Sequence, residues 1–442
     1  MNARTVTRVF AVVSALLGAA CSSSSSSGTP TASTPTYFQD VKPIVDAKCT
    51  GCHVQGGLAP FPLTAVGEVT PHASAMKGAT GGRIMPPWMA APGCQSYQGD
   101  ESLTDAQIAT IAAWADAGAP PGDPANPGAP LATDKTAMSR VDVSLSMPAP
   151  YTPAVQPDDY HCFLLDWAEA TTKYVTGFRA RAGDSKIVHH VIAYLAAPSA
   201  VAQYDQLNAG GKGWTCFGGP GGSQTGGASW LGAWAPGGAG GDFPEGTGIE
   251  VAAGSKIILQ VHYNTLVTTG SDQTSLDFKV DDTVQKKAAI VPYADPSWLQ
   301  GGMQIAAGNP DATYSWSFDI SPYMSLLTNG AIPNGSFLLY STSLHMHLLG
   351  TKAHTSITPA GGGQDECLLD IPSWNFHWQR LYSLTQPVKY NAGDKLNLDC
   401  HWNNSQANQP VVNGQQSTPR NLAWGEGTTD EMCLGLMYVT GQ

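Results

Sequence analysis

From Val141 to the C-terminus the chain alternates apolar and polar residues in short runs broken by Gly and Pro, with no long amphipathic helical period. Period-two writing sends successive side chains to opposite faces, so one face of each strand must find a partner layer. The expectation is antiparallel β-sandwiches, and two sandwich-sized blocks fit, 141–290 and 291–442. Forty-nine Gly, 32 Pro and only 13% charged residues suit such loop-rich sheets better than long helices. The Gly-dense stretch 210–248 is too long for a tight turn and is expected as an extended loop, with Cys216 suggesting a disulfide staple. A net charge of −12 without a basic cluster argues against nucleic-acid binding. After the N-terminus nothing approaches the roughly 18 apolar residues of a membrane helix.

The N-terminal part is written differently. Arg4 and Arg8 precede the apolar run Val9 to Leu17 and the small residues Gly18-Ala19-Ala20 before Cys21, the layout of a secretory leader over 1–20. A small-residue stretch ending in Cys resembles a bacterial lipobox, which would lipidate Cys21; ordinary cleavage nearby, leaving a free Cys, is the alternative. The run Ser22 to Ser27 favours the lipoprotein, with 21–36 as a flexible tether. The expected location is the bacterial cell envelope, facing the periplasm or the cell surface, with the membrane touched only through the lipid. Removing the leader leaves 20 Lys+Arg against 34 Asp+Glu, a net charge of −14.

Phe38, Val41, Ile44 and Val45 recur at helical spacing up to Lys48, directly before Cys49-Thr50-Gly51-Cys52-His53. C-x-x-C-H is the attachment pattern of c-type haem: two thiols add to the vinyl groups and the His ligates the iron. The bland alternative is a disulfide or zinc pair followed by a chance His. A second axial ligand is expected from the proline-stiffened loop Arg83 to Met89, with Met85 ahead of Met89 and Met76. Each could equally be a Met packing on the haem edge. Thr104 and Gln107 form a capping-box pair, Ile108, Ile111, Ala112 and Ala115 a buried stripe, and Gly118 with Pro120-Pro121 a stop. Two helices around a haem motif and a Met loop resemble a small class I cytochrome c over 37–122. A Pro/Gly/Ala-rich linker, 123–140, follows.

Four stretches of the β-rich part carry metal chemistry. His345 and His347 are two apart on a run from Ser336 to Leu349 that reads as a strand, so they share a face while Met346 points away. His189 and His190 are adjacent on a strand 187–195, and can meet one metal only if the strand bends, bulges or ends there. His262 lies on a strand 256–264, and Met432 opens an alternating run to Thr440. Three His with an open position suit copper or zinc, and two His with a thioether favour copper, especially Cu(I). Taken singly, each His reads as well as a core or solvated residue, and Met432 as core packing. His354, His377 and His401 read as structural or surface residues.

The order His189-His190, His262-Tyr263, His345-x-His347, Glu431-Met432-Cys433 resembles the copper type II, ascorbate-dependent monooxygenases, over about 141–442. The resemblance implies two antiparallel jelly-roll-like domains facing each other across a solvent-filled cleft. It implies two copper ions: His189, His190 and His262 at the electron-transfer copper, and His345, His347 and Met432 at the copper where O2 reacts. It also implies disulfides Cys162–Cys216 and Cys400–Cys433, leaving Cys94 and Cys367 unassigned. Peptide-amidating members carry an Arg two residues before His-x-His and a Tyr shortly after the Met; here those places hold Ser343 and Leu436. A small neutral substrate is therefore expected in place of a carboxylate. The expected function is hydroxylation of a C–H bond by O2, with electrons supplied through the fused c-type haem and an external donor, ascorbate or a redox protein. The alternatives are a non-catalytic haem/copper electron-transfer or copper-binding lipoprotein, and a zinc hydrolase that uses neither Met432 nor the haem.

Overall fold

Alternation in the sequence becomes pairing in the structure. The central strand Lys256–Asn264 lies between Asp158–Asp166 and Val188–Ala196, antiparallel to both. It is buried from Ile257 to Tyr263, covered on both faces. Ala228–Trp234 pairs with the other side of Val188–Ala196. The opposing layer of this first sandwich contains Val143–Ser146, Ser275–Asp281, Lys173–Arg181 and Thr247–Val251. Its core joins Phe163, Val175, Phe178, Val191, Leu231, Leu259 and Phe278. Each such side chain taken fully out of water contributes about 1.5–3 kcal/mol.

The computed structural model describes residues 33–442, apart from 58, 133–136, 222–226, 237, 239, 267, 413 and 414. The expected leader, Cys21 and most of the Ser-rich tether lie outside the described residues. Residues 35–442 form one unit. No helix among the described residues is long and apolar enough to cross a membrane.

The second sandwich sets Phe337–His345, flanked by Tyr382–Tyr390 and Leu434–Gly441, against a four-stranded sheet. That sheet contains Ala312–Phe318, Lys395–Trp402, Gly350–Thr358 and Glu366–Ile371. The two sandwiches share backbone hydrogen bonding. Lys286–Tyr293 pairs along Leu434–Gly441 and also meets Ala228–Trp234 and Thr247–Val251. The expected boundary at 290/291 thus falls inside a strand. Mostly β-sheet in two sheet-rich halves, the chain has the architecture that its alternation calls for.

The stretch 210–248 departs from expectation, because it contains Ala228–Trp234, an interior strand, instead of being loop throughout. The glycines hide the strand. At Gly232 the Phe178 ring lies where a side chain would go, 2.5 Å from an added Cβ, so only Gly lets the layers close. The flanking Trp230 and Trp234 pack against the first core.

Residues 35–122 supply most of the helices. Tyr37–Val41 runs into Lys42–Lys48, and Ala73–Gly81 packs on Asp105–Asp116. Val41, Val45, Val69, Ile111 and Trp114 form their core. The capping box closes as written: Thr104 N–H donates to Gln107 Oε1 at 2.9 Å, and Gln107 N–H donates to Thr104 Oγ1 at 3.2 Å. Gly118, at φ +81°, ends the helix.

Between the last two helices the chain crosses to the second sandwich. Trp88, Met89, Ala90 and Tyr97 join that sandwich's hydrophobic cluster. Ala91 N–H donates to Asp370 O, Gln98 N–H to Ser383 O, and Tyr97 Oη to Leu368 O. Cys94 and Cys367 are disulfide-bonded, as are Cys162 with Cys216 and Cys400 with Cys433. Three such bonds belong in an oxidising compartment. Cys94–Cys367 spans 273 residues and pins the crossing segment to the sandwich. Replacing both cysteines by Ser is expected to lower stability by roughly 2–5 kcal/mol in urea unfolding, the usual cost of a native long-loop disulfide.

Candidate metal centre

His189 and His190 reach one point because the strand bulges. The register of Val188–Ala196 against Lys256–Asn264 shifts between Val188 and His190, leaving His189 without a partner and His190 opposite His262. The extra residue turns two adjacent imidazoles toward one side. His190 Nδ1 lies 3.4 Å from His189 Nδ1 and 3.3 Å from His262 Nδ1. The ligand atoms of the three lie within 4.8 Å of one another, so they can hold one metal ion. His262 Nε2 stands 2.9 Å from Asp158 Oδ1, which places the proton on Nε2 and leaves Nδ1 as the free donor. Thr428 donates to the same carboxylate from its hydroxyl, at 2.5 Å, and from its backbone N–H, at 3.2 Å. Burial pushes Asp158 up, but the hydrogen bonds from His262 and Thr428 win and hold it below the usual carboxylate range.

The second pair is presented through the opposite nitrogen. The strand ends at His345, short of Leu349, yet the alternation persists: Met346 is fully buried in the second core and the two imidazoles stand 5.0 Å apart. His345 Nδ1 contacts Gln379 Oε1 at 2.5 Å and His347 Nδ1 contacts Asp430 O at 3.1 Å. Both contacts put the proton on Nδ1 and leave each Nε2 free to bind.

Met432 is buried, and it directly follows Glu431, whose carboxyl accepts from His347 N–H. Cys433 packs into the second core while Met432 stays out of that cluster. The strand expected to open at Met432 begins at Leu434, and the Cys400–Cys433 disulfide holds its approach. What carries residues 430–432 to the His-x-His turn is Glu431. Its Oε2 accepts from His347 N–H at 2.9 Å and from the Trp402 indole N–H at 2.7 Å, and its Oε1 accepts from Leu349 N–H at 2.7 Å. Burial pushes this carboxyl up to about 8 against the pull of those donors.

All five imidazoles are held below their ordinary value. His189, His190 and His347 lie well below it, His345 is lowered to about 4 and His262 is lowered too, with burial the first cause in each. Neutral imidazole is the form that binds metal. The two clusters sit ring to ring, His190 and His345 at 6.4 Å, instead of facing each other across a solvent-filled cleft. Two loops draw them together. Phe376 stacks on His189 at 4.3 Å and stands edge-on to His347 at 5.8 Å. Tyr160 stacks on His262 at 4.0 Å and donates from its hydroxyl to Glu426 O.

Of the remaining histidines, His354 and His401 pair with Asp370 and Asp311, and His377 is exposed. Ser343 and Leu436 stand directly opposite one another on paired strands. In the helical part, Cys49 and Cys52 are free thiols. His53 Nδ1 contacts Phe61 O at 2.9 Å, leaving Nε2 as the open nitrogen. The sulfur of Met89 accepts from Asn375 N–H at 3.2 Å and Met76 is buried in the helical core, whereas Met85 lies half-buried at the start of the crossing segment.

Residues 143–269 match the family model described as copper type II ascorbate-dependent monooxygenase, N-terminal domain, and residues 317–440 match that of the C-terminal domain. Together they cover more than half of the chain. The chain belongs to the copper type II ascorbate-dependent monooxygenases. Copper is this family's metal, and the first histidine triad is a set that can hold it. The chain is 22% identical over 213 residues to tyramine beta-hydroxylase of Caenorhabditis briggsae, covering 47% of this chain and 33% of the relative. It is 21% identical over 216 residues to dopamine beta-hydroxylase of Canis lupus familiaris, covering 48% and 32%. The matched region spans about a third of the length of these relatives. Among solved structures, a peptide-N(4)-(N-acetyl-beta-D-glucosaminyl) asparagine amidase aligns over 68% of this chain and 96% of its own, at 9% identity. Its TM-score of 0.26 is too low to bear on fold or activity.

Sequence reasoning found the histidines and missed their supports: Asp158, Thr428, Gln379, Phe376 and the carboxylate of Glu431. Glu431 stood inside a motif already singled out, and that was the available signal. In this monooxygenase-family chain, Glu431→Ala strands three buried donors at about 1–3 kcal/mol each and is expected to lose at least ~3 kcal/mol in urea unfolding. Glu431→Gln keeps an acceptor and is expected to recover most of the loss.

Glu426 gives a pH prediction. Burial, reinforced by Asp430, pushes its carboxyl up from 4.5 to about 7. Between those values the folded state binds more protons than the unfolded chain, so stability is full below the lower value and falls as pH rises through the upper one. In metal-free protein, Glu426→Gln is expected to shrink the drop in melting temperature between about pH 5 and about pH 8.

Proposed function

We propose that this chain is a copper monooxygenase that hydroxylates a C–H bond of a small, neutral organic substrate with O2, drawing electrons through a c-type haem carried on its N-terminal helices. The observation that carries the reading is the pairing of two preorganised nitrogen sets. Three Nδ1 atoms converge at 189, 190 and 262, while two Nε2 atoms at 345 and 347 are freed by hydrogen bonds on their other nitrogens. His189, His190 and His262 would hold one copper; His345, His347 and Met432 the other. Bound copper supplies the one-electron chemistry that activation of O2 requires, and the thioether of Met432 favours the cuprous state.

The protein's own part is orientation and exclusion of water. Asp158, Gln379 and the carbonyl of Asp430 set which nitrogen of His262, His345 and His347 carries the proton. Phe376 and Tyr160 cover the rings with aromatic faces. The reaction takes two electrons and two protons per O2, placing one oxygen in product and one in water. Ser343 and Leu436, side by side where peptide-amidating relatives carry cationic and phenolic groups, offer no charge for a substrate carboxylate.

The haem would be held by Cys49, Cys52 and His53. These residues fit: both thiols are unbridged, and Phe61 O engages His53 Nδ1, leaving Nε2 for the iron. With Met89 engaged by Asn375 and Met76 in the core, Met85 is the proposed second axial ligand. Residues 37–122 thus act as a cytochrome c-like module, re-reduced by ascorbate or a redox protein. Lipid on Cys21 would tether the enzyme to the bacterial cell envelope.

One observation favours the non-catalytic alternative, an electron carrier: the clusters pack ring to ring instead of flanking an open cleft. Labelled O2 separates the two readings. Over a panel of neutral organic substrates, the wild type is expected to bind two coppers and one haem and to form labelled product. Met432→Ala is expected to lose one copper and product formation together, and Cys49→Ser with Cys52→Ser to lose the haem. Two bound coppers with no labelled product would leave electron transfer as the function.

A further inference from the structure

The helical part meets both histidine clusters at loop 374–380. On the helical side, Asn375 N–H donates to Met89 sulfur at 3.2 Å. Arg380 donates to Glu101 Oε2 at 2.8 Å and lies over the Trp88 ring, 5.0 Å from its centroid. On the other side, Gln379 Oε1 accepts from His345 Nδ1 at 2.5 Å, Phe376 stacks on His189, and the Trp374 indole N–H donates to His347 O at 3.0 Å. Lys48, directly before Cys49, donates from Nζ to Asp100 O at 2.5 Å, and Asp100 precedes the Glu101 that pairs with Arg380. Residues 100 and 101 thus join the start of the haem-attachment motif to Arg380, which directly follows the Gln379 that holds His345.

The contact is held in place from both ends. Gln379 Nε2 donates to Phe376 O at 2.8 Å and Trp374 N–H to Thr351 O at 2.8 Å. The crossing segment with Trp88 is fixed by Cys94–Cys367 and by the Ala91 N–H bond to Asp370 O, with the Glu101–Arg380 pair just beyond. No hinge is needed to bring the motif and the histidines together.

We propose that loop 374–380 is the electron-entry contact. It joins the segment around Trp88 and Glu101, which follows the Cys49–Cys52–His53 motif, to His189 through Phe376 and to His345 through Gln379. The proposal rests on the reading that these residues hold haem and copper. Each crossing oxidises one ferrous haem iron to ferric and reduces one cupric ion to cuprous. An external one-electron donor, ascorbate or a reduced redox protein, restores the ferrous state, and two crossings supply the electrons of one turnover.

The test uses the full chain loaded with haem and copper. After chemical reduction of the haem without O2, its reoxidation by bound cupric ion is followed by haem absorbance, with the haem potential and copper content measured alongside. Arg380→Ala, which leaves every proposed ligand intact, is expected to slow reoxidation at least ~10-fold, equivalent to about 1.36 kcal/mol in barrier. Potential and copper count should stay those of the wild type. A rate within about twofold of wild type, with both coppers present, overturns the contact. Where Arg380→Ala fails to fold or loses haem, the nearly isosteric Glu101→Gln decides: slowed reoxidation supports the contact and an unchanged rate overturns it. Haem or copper missing from the wild type overturns the underlying reading itself, and is seen in the metal and haem counts before any rate is measured.

Discussion

A buried carboxyl group without a cation beside it is tolerated only where backbone and indole N–H groups replace the water it has lost. Glu431 meets that condition, with three donors drawn from the His-x-His turn and from Trp402. Its backbone neighbours are Asp430, whose carbonyl fixes His347, and Met432, whose sulfur is the proposed third ligand of the same pair. One side chain thus brings together stretches more than eighty residues apart, and the placement of His347 depends on it. Asp158 acts similarly in the first sandwich, reaching from His262 to Thr428 in the same C-terminal loop. That loop is anchored to both clusters at once.

The logic of the two nitrogen sets is complementary. In the first, a bulge brings adjacent residues onto one side and the ring nitrogen nearer the backbone faces inward. In the second, a strand end keeps alternation intact and the farther nitrogen is freed. Burial keeps every imidazole neutral, so the protein does the work of deprotonation before a metal arrives. Aromatic rings at Phe376 and Tyr160 then fill the space that water would otherwise take.

Much of this was written legibly in the chain. Spacing of two on a strand placed His345 with His347 and turned Met346 into the core. Adjacency at 189–190 required the strand to bend, bulge or end, and it bulges. Strand Lys256–Asn264 and the capping box at Thr104 fall where periodicity and side-chain chemistry put them. Strand Ala228–Trp234 was not legible, because its glycine answers to a Phe fifty-four residues earlier and local composition reads as loop. Nor did any spacing rule announce Gln379, Phe376 or the Cys94–Cys367 bond. They act across loops, whose conformation is set by what they dock on rather than by a period. The ring contact between the clusters likewise follows from loops 374–380 and 424–432, on which the resemblance was silent.

The strand Leu434–Gly441 has a consequence for traffic. It is zipped on one edge to Lys286–Tyr293 and on the other to Phe337–His345, so the two halves of the molecule share a continuous backbone seam. Prising the sandwiches apart like a clamshell would unmake that seam residue by residue. Anything that enters between the imidazoles must therefore come past the covering loops, and the rigid sheets behind them serve as the frame of a door rather than as its leaves.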